Sequence, residues 1–280
     1  MSASYFELDW LGGAAEKSFR RVRPDIADLP WGTLSSSFAS PAVVERARFL
    51  WTQVAISEYR AAIAFSQVLS AMLAASAPLD LIGMAGAFVA DEVAHVEMAS
   101  RMAMELGGAA PVSVDWRSLT RASDVEDAFS LANDRILKSV CVSETLSGAV
   151  AVDTMKELDA PLPKAVLTTI ARDEARHTRV GWLYMEWAAP RMTDEERGRL
   201  GKTLEGSLRS LGPLVKRGRR TGYAAEDRAS LLRLGWLDRA PYAASARDAV
   251  LREVLAPLAT YGIEISRSAH EELFGEVEGA

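Results

Sequence analysis

The sequence predicts an all-α protein: a four-helix bundle with further helices after it. Three observations carry this. Strand signals are absent, and from about residue 41 onward apolar residues recur at helical spacing. Prolines at positions 41, 78, 111, 161, 163 and 190 bound four long runs free of proline, a residue poorly tolerated inside helices. Each run holds one piece of a repeated pattern, a lone glutamate followed on the next run by Asp-Glu-x-x-His, and then the same order again.

Residues 1–40 contain Trp10, Gly12-Gly13, Pro24, Pro30 and Trp31 without a sustained period, and read as an irregular arm with aromatic anchors. The first run opens on Ser40-Pro41, an N-cap and a first-turn proline, and continues to about Ala75. Its apolar stripe is Trp51, Val54, Ala55, Ala62, Phe65 and Leu69, with Glu58 in the middle. The second run, from about Leu79 to the stop at Gly107-Gly108, places Phe88, Val96, Ala99, Met102 and Leu106 on the face shared by Glu92 and His95. A connection over 109–123 is long enough to traverse a bundle. Ser123-x-x-Glu126 then reads as a capping box for a third helix running to about Leu158, whose stripe of Leu137, Val140, Cys141, Gly148, Ala151 and Met155 includes Glu144. The fourth helix is expected after Pro163, with Leu167, Ile170, Ala171, Gly181, Tyr184 and Met185 beside Glu174 and His177, ending near Pro190.

Two helical hairpins joined by a long crossover make the bundle, residues 41–190. Residues 191–280 read as accessory helices that cover one of its faces or form a homodimer contact. Thr193-x-x-Glu196 caps a helix to about Leu208; a loop with Gly212-Pro213 and the basic cluster Lys216-Arg217-Gly218-Arg219-Arg220 follows; helical patterns resume at 225–235, 243–256 and 258–274. His270 is expected to pack or face solvent.

Composition narrows the function classes. A formal net charge of −6 disfavours a nucleic-acid role, and the basic cluster reads as a solvated turn. No apolar run approaches the roughly 20 residues that span a bilayer, and the N-terminus has neither a basic leader nor an apolar core segment, so a cytoplasmic protein is expected. One cysteine, Cys141, excludes an internal disulfide and any cysteine-rich zinc or iron–sulfur site. Redox chemistry would therefore need metals held by nitrogen and oxygen, and electrons from a separate donor.

The repeated motif supplies such ligands. The chain has three histidines, and two of them end Asp91-Glu92-Val93-Ala94-His95 and Asp173-Glu174-Ala175-Arg176-His177. On a helix, residues three apart share a face, so each copy aims a carboxylate and an imidazole at one spot. With Glu58 and Glu144 the interior collects four carboxylates, which without cations would repel one another or take up protons. Two divalent ions cancel that charge. Four Glu and two His (Glu58, Glu92, His95, Glu144, Glu174, His177) suit iron or manganese, with Fe/Fe and Mn/Fe both open. A metal-bound imidazole normally gives its other N–H to a carboxylate. Asp91 and Asp173 are placed for this, the aspartate of each motif reaching the histidine of the other, with Arg176 securing one of them. Cys141 and Gly148 flank Glu144 and read either as lining of a substrate pocket or as close helix packing.

These residues, in this order, resemble the ferritin-like di-iron carboxylate superfamily. Its oxygen-activating members include bacterial multicomponent monooxygenases, ribonucleotide reductase small subunits, acyl-carrier desaturases and arylamine N-oxygenases. The resemblance covers residues 42–190 and implies site and fold, not substrate. Four residues after His95 the reductase subunits place a radical tyrosine, and this chain has Ala99; the extra histidine of the arylamine N-oxygenases is here Ile170; the threonine of the multicomponent monooxygenases is Gly148. Rubrerythrins add a cysteine-rich module, and ferritins are shorter. The resemblance therefore implies a stand-alone oxidase or oxygenase that binds two irons, takes electrons from an external reductase or ferredoxin, and uses O2 to hydroxylate, desaturate, N-oxidise or cleave a small organic substrate. A ferroxidase, iron-handling or redox-sensing protein is the alternative.

Overall fold

The computed structural model describes residues 4–115, 124–216 and 224–275. It is all-α. The extended pairing among the described residues is a two-residue ladder, β1 (Ser4–Tyr5) antiparallel to β2 (Ser113–Val114), which ties the start of the chain to the connection after the second bundle helix.

The bundle is formed by α2 (Pro41–Ala74), α3 (Leu79–Glu105), a third rod, and α6 (Pro161–Ala188). The third rod is continuous but not uniform: α4 (Ala128–Arg135), a π-helical stretch (Ile136–Glu144) and α5 (Thr145–Glu157). Short connections make α2/α3 and α5/α6 neighbouring hairpins, and α2 against α4 and α3 against α6 close the bundle. Ser40 caps α2, its hydroxyl accepting from the Val43 N–H. α6 starts at Pro161, with Pro161 and Pro163 both in the first turn, where a missing N–H costs nothing.

The interior is two apolar clusters stacked along the bundle. One takes Phe65, Val68 and Met72 of α2, Phe88 of α3, Leu137 and Val140 of the third rod, and Tyr184 and Met185 of α6. The other takes Trp51 and Ile56 of α2, Met98 and Met102 of α3, and Leu162, Val166 and Ile170 of α6. Glu58, Glu92 and Glu174 fall between the two on their helices, so the charged residues occupy the level where the apolar clusters meet. Gly181 permits a close approach of α6 to the third rod, since a Cβ there would lie 2.7 Å from Val140 Cγ1 and 3.2 Å from Cys141 Sγ.

Three expectations are corrected. The N-terminal arm is not wholly irregular: α1 (Gly13–Val22) and a 3-10 turn (Pro24–Ile26) lie within it. None of the residues of α1 is buried. The third rod begins at Ala128 with Asp127 as its cap, accepting from the Ser130 N–H, so Glu126 lies ahead of the helix; Ser123 is outside the described residues. α7 (Asp194–Lys216), at whose start the Glu196 N–H donates to the Thr193 hydroxyl, runs through Gly212-Pro213 rather than stopping near Leu208. Arg217–Arg220 of the basic cluster lie outside the described residues.

Beyond α7 come α8 (Ala225–Arg233), α9 (Arg239–Ala249) continued by a second π stretch (Val250–Leu255), α10 (Ala256–Thr260) and α11 (Arg267–Phe274). α8 packs on α2, and α7 and α9 on the third rod. His270 is half-buried and stacks on Phe274. No described helix is long and apolar enough to cross a membrane.

Candidate metal centre

Six side chains from four rods converge between the two apolar clusters. Glu58 comes from α2, Glu92 and His95 from α3, Glu144 from the last position of the π stretch, and Glu174 and His177 from α6. All are buried, and Glu92, His95 and His177 are fully so. Ligand atoms of Glu58, Glu92, His95 and Glu174 lie within 4.8 Å of one another, and so do those of Glu92, Glu144, Glu174 and His177. Glu92 and Glu174 belong to both groups. The arrangement is two half-sites sharing two carboxylates.

Both histidines turn Nδ1 inward. His177 Nδ1 lies 3.0 Å from Glu144 Oε2, 3.2 Å from Glu92 Oε1 and 3.5 Å from Glu174 Oε2; His95 Nδ1 lies 3.7 Å from both Glu58 Oε2 and Glu92 Oε2. The opposite ring edges face the aspartates, His95 Nε2 at 3.3 Å from Asp173 Oδ2 and His177 Nε2 at 3.2 Å from Asp91 Oδ2. The aspartate of each motif thus reaches the histidine of the other. Arg176 Nη2 donates to both aspartates, to Asp173 Oδ1 at 2.6 Å and to Asp91 Oδ2 at 3.2 Å. Phe88 and Phe65 close the far side of His177, their ring centroids 4.2 Å and 5.3 Å from it.

The cluster is electrostatically incomplete. Both carboxylate oxygens of Glu92, Oε2 of Glu174 and Nδ1 of His95 are buried without a hydrogen-bond partner. Leaving a buried polar atom unsatisfied costs about 1–3 kcal/mol, more when it is charged. The protonation preferences of the ion-free cluster agree. Burial pushes Glu174 well above the usual carboxylate range, and the neighbouring Glu144, itself raised by burial, adds to it. Burial alone would lower both histidines, but Glu92 and Asp173 beside His95, and Asp91 and Glu144 beside His177, hold them raised. These preferences favour added positive charge at the centre, and the orphaned atoms with an N2O4 donor set are a combination that divalent ions of the iron or manganese type can satisfy.

Two clefts reach these carboxylates. A smaller one of about 250 Å³ runs between α2 and the third rod, lined by Ser57, Ser139, Ser143 and Ser147, by Glu58, Glu144 and Glu174, and by Arg60, Ala61, Ala64 and Phe65 of α2. A larger one of about 560 Å³ opens on the other side of α5, lined by Thr145, Gly148, Ala149 and Val152, by Ala171 and Ala175 of α6, and also by the charged Asp153, Lys156, Asp248, Arg252 and Glu253. Gly148 is part of its wall, and a Cβ there would come within 3.3 Å of Glu174 Cβ. Cys141 lines neither cleft. It is fully buried against Gly181, and burial pushes its thiol up, as expected of a packing residue rather than a nucleophile.

Two features escaped the sequence. The π stretch delivers Glu144, yet Leu137, Val140, Cys141 and Glu144 fit an ordinary helical stripe equally well, so the wider turn left no mark. Arg23, placed in the arm, is buried and contacts both aspartates, with Nη1 donating to Asp91 Oδ1 at 2.9 Å and Nη2 lying 2.9 Å from Asp173 Oδ2. No periodicity surrounds it, and only the fold brings it here.

Neither the protein-family models nor the curated proteins compared with this chain match it. Fold and site nevertheless define a class: an all-α bundle protein with buried carboxylate and histidine groups that can hold a metal ion and are compatible with a di-iron site.

Proposed function

We propose that the protein is a non-haem di-iron oxidase or oxygenase that uses O2 to oxidise a small organic substrate. The observation that supports this most is the pair of half-sites sharing Glu92 and Glu174, with buried donor atoms left unsatisfied toward their centre. Glu58, Glu92 and His95 would hold one ion, Glu144, Glu174 and His177 the other. Two irons would supply the electrons that reduce O2.

The chain's own residues do the rest. Asp91 and Asp173 accept the histidine Nε2 protons, which fixes the tautomer that leaves each Nδ1 lone pair free. Phe65 and Phe88 keep water from one side of the centre. The larger cleft is within the usual size range of small-molecule sites; with Gly148, Ala149, Ala171 and Ala175 as well as the charged Lys156, Arg252, Asp153, Asp248 and Glu253 in its lining, it would bring a small organic substrate that carries both apolar and polar groups to Glu144 and Glu174. With one cysteine in the chain, reducing equivalents would come from an external reductase or ferredoxin.

A second reading, a ferroxidase or iron-handling protein, is favoured by the smaller cleft, whose four serines and three carboxylates offer oxygen contacts to a hydrated ion on its way to the centre. Anaerobic Fe(II) loading followed by O2 separates the two. About two irons retained per chain, with an oxygen-dependent absorption change whose decay organic candidates accelerate, supports the oxygenase. Continued Fe(II) consumption with mineral accumulation would replace it by the iron-handling protein.

A further inference from the structure

We propose that Arg23 is a positioning residue for the metal centre: a single buried guanidinium from the N-terminal segment fixes both of the aspartates that orient the two histidines. The fork geometry is used in full. Nη1 donates to Asp91, Nη2 approaches Asp173, and Nε and Nη2 donate to Asp25 at 3.0 Å each. A planar guanidinium has donors enough for three carboxylates in fixed directions; a lysine ammonium is a single point on a flexible stem. Arg176 also bridges the two aspartates, but its side chain is 57% exposed against 8% for Arg23, so solvent screens it far more.

The segment carrying Arg23 is itself held in place. Ile26 is fully buried in the apolar cluster around Trp51, Trp31 Nε1 donates to the Ile26 carbonyl at 2.8 Å, and Arg20 pairs with the buried Glu97 of α3. Arg172 on α6 reaches both Asp173 and Asp25, joining the segment to the helix that carries Glu174 and His177. Each aspartate is thus held on one side by a histidine and on the other by Arg23. An aspartate released from Arg23 can rotate away from its histidine, and the imidazole then loses the contact that aims Nδ1 into the cluster. This ties the segment from Arg20 to Trp31 to the order of the metal site.

The inference rests on the two-metal reading, and the test separates them. The full-length chain is titrated anaerobically with Co(II), following the visible ligand-field bands, for the wild type and for Arg23→Lys, Arg23→Met, Arg176→Ala and Arg20→Ala, with the apoprotein melt of each. Arg23→Lys keeps a cation in the pocket and carries the test if Arg23→Met does not fold. The expected result for Arg23→Lys is Co(II) affinity weaker by about 10–100-fold and altered bands at saturation, with smaller losses in Arg176→Ala and in Arg20→Ala, which loosens the segment but leaves the Arg23 fork in place. A packing role alone would shift the apoprotein melt and leave the saturated spectrum unchanged. Wild-type affinity and spectrum in the Arg23 variants overturn the inference, as does an Arg20→Ala loss equal to that of Arg23→Lys, which would assign the effect to docking of the segment. A wild type that binds no Co(II) overturns the two-metal reading itself.

Discussion

Glu92 and Glu174 differ from the other candidate ligands in belonging to both half-sites, and they carry three of the buried oxygens left without a partner. Removing either should disturb both ions, whereas removing Glu58 touches one group and Glu144 the other. Glu92→Ala and His177→Ala are expected to lose bound metal, measured by elemental analysis after anaerobic loading and desalting; retention of two irons by either would show that the ligands are misassigned. Gly181 gives a stability counterpart. With a Cβ at 2.7 Å from Val140 Cγ1, Gly181→Ala must displace α6 or the third rod, and a loss of about 1–3 kcal/mol in chemical denaturation is expected for such overpacking. A neutral result would mean that the two rods can separate freely at this level.

At the scale of elements, the long amphipathic helices were legible in the sequence because their apolar stripes and caps are local signals. Ser40-Pro41 starts α2, and the glycines at 107 and 108 follow α3. The rest was not legible for identifiable reasons: the π stretch keeps the stripe of an α-helix, and Arg23 acts across a long sequence separation. α7 is pinned to the third rod by a polar network. Asp134, buried, accepts from Lys138 at 2.7 Å, Thr203 at 2.9 Å and Arg199 at 3.1 Å, while Glu196 accepts from Arg199 and Asn133. Burial alone would raise both carboxyls, but Lys138 and Thr203 at Asp134, and Arg199 and Asn133 at Glu196, hold them below the usual range. A folded-state value below the unfolded one adds stability that is complete above the ordinary carboxylate range of about pH 4 and is lost as pH falls through the folded-state value. Arg199→Ala is therefore expected to melt below the wild type near neutral pH, with the difference shrinking as pH falls toward about 3. A difference constant across that range would remove the network from the acid sensitivity.

For the whole molecule, the placement of the site matters most. Its charged residues lie where two apolar clusters meet, so they interrupt an otherwise apolar interior at one level. The repeated motif, with the lone glutamates between its copies, predicted which carboxylates and histidines the fold brings together and the crossed aspartate–histidine contacts, because these follow from helical spacing on facing helices. It could not predict the two clefts, which depend on how α5 settles against α2 and α6. Ions that bind only the folded chain stabilise it by mass action, by about 2.7 kcal/mol at a hundredfold excess over Kd. The thermal midpoint is accordingly expected to rise with added Fe(II) under argon in the wild type and not in Glu92→Ala. An equal rise in both would place the binding elsewhere.

The most direct test of the central claim is the stoichiometry of anaerobic Fe(II) binding to the full-length chain, read by equilibrium titration in the wild type and in Glu92→Ala. Two half-sites that share Glu92 and Glu174 predict two ions per wild-type chain and loss of both from the variant. A wild type that saturates at one ion or none, or a Glu92→Ala chain that still binds two, would contradict it.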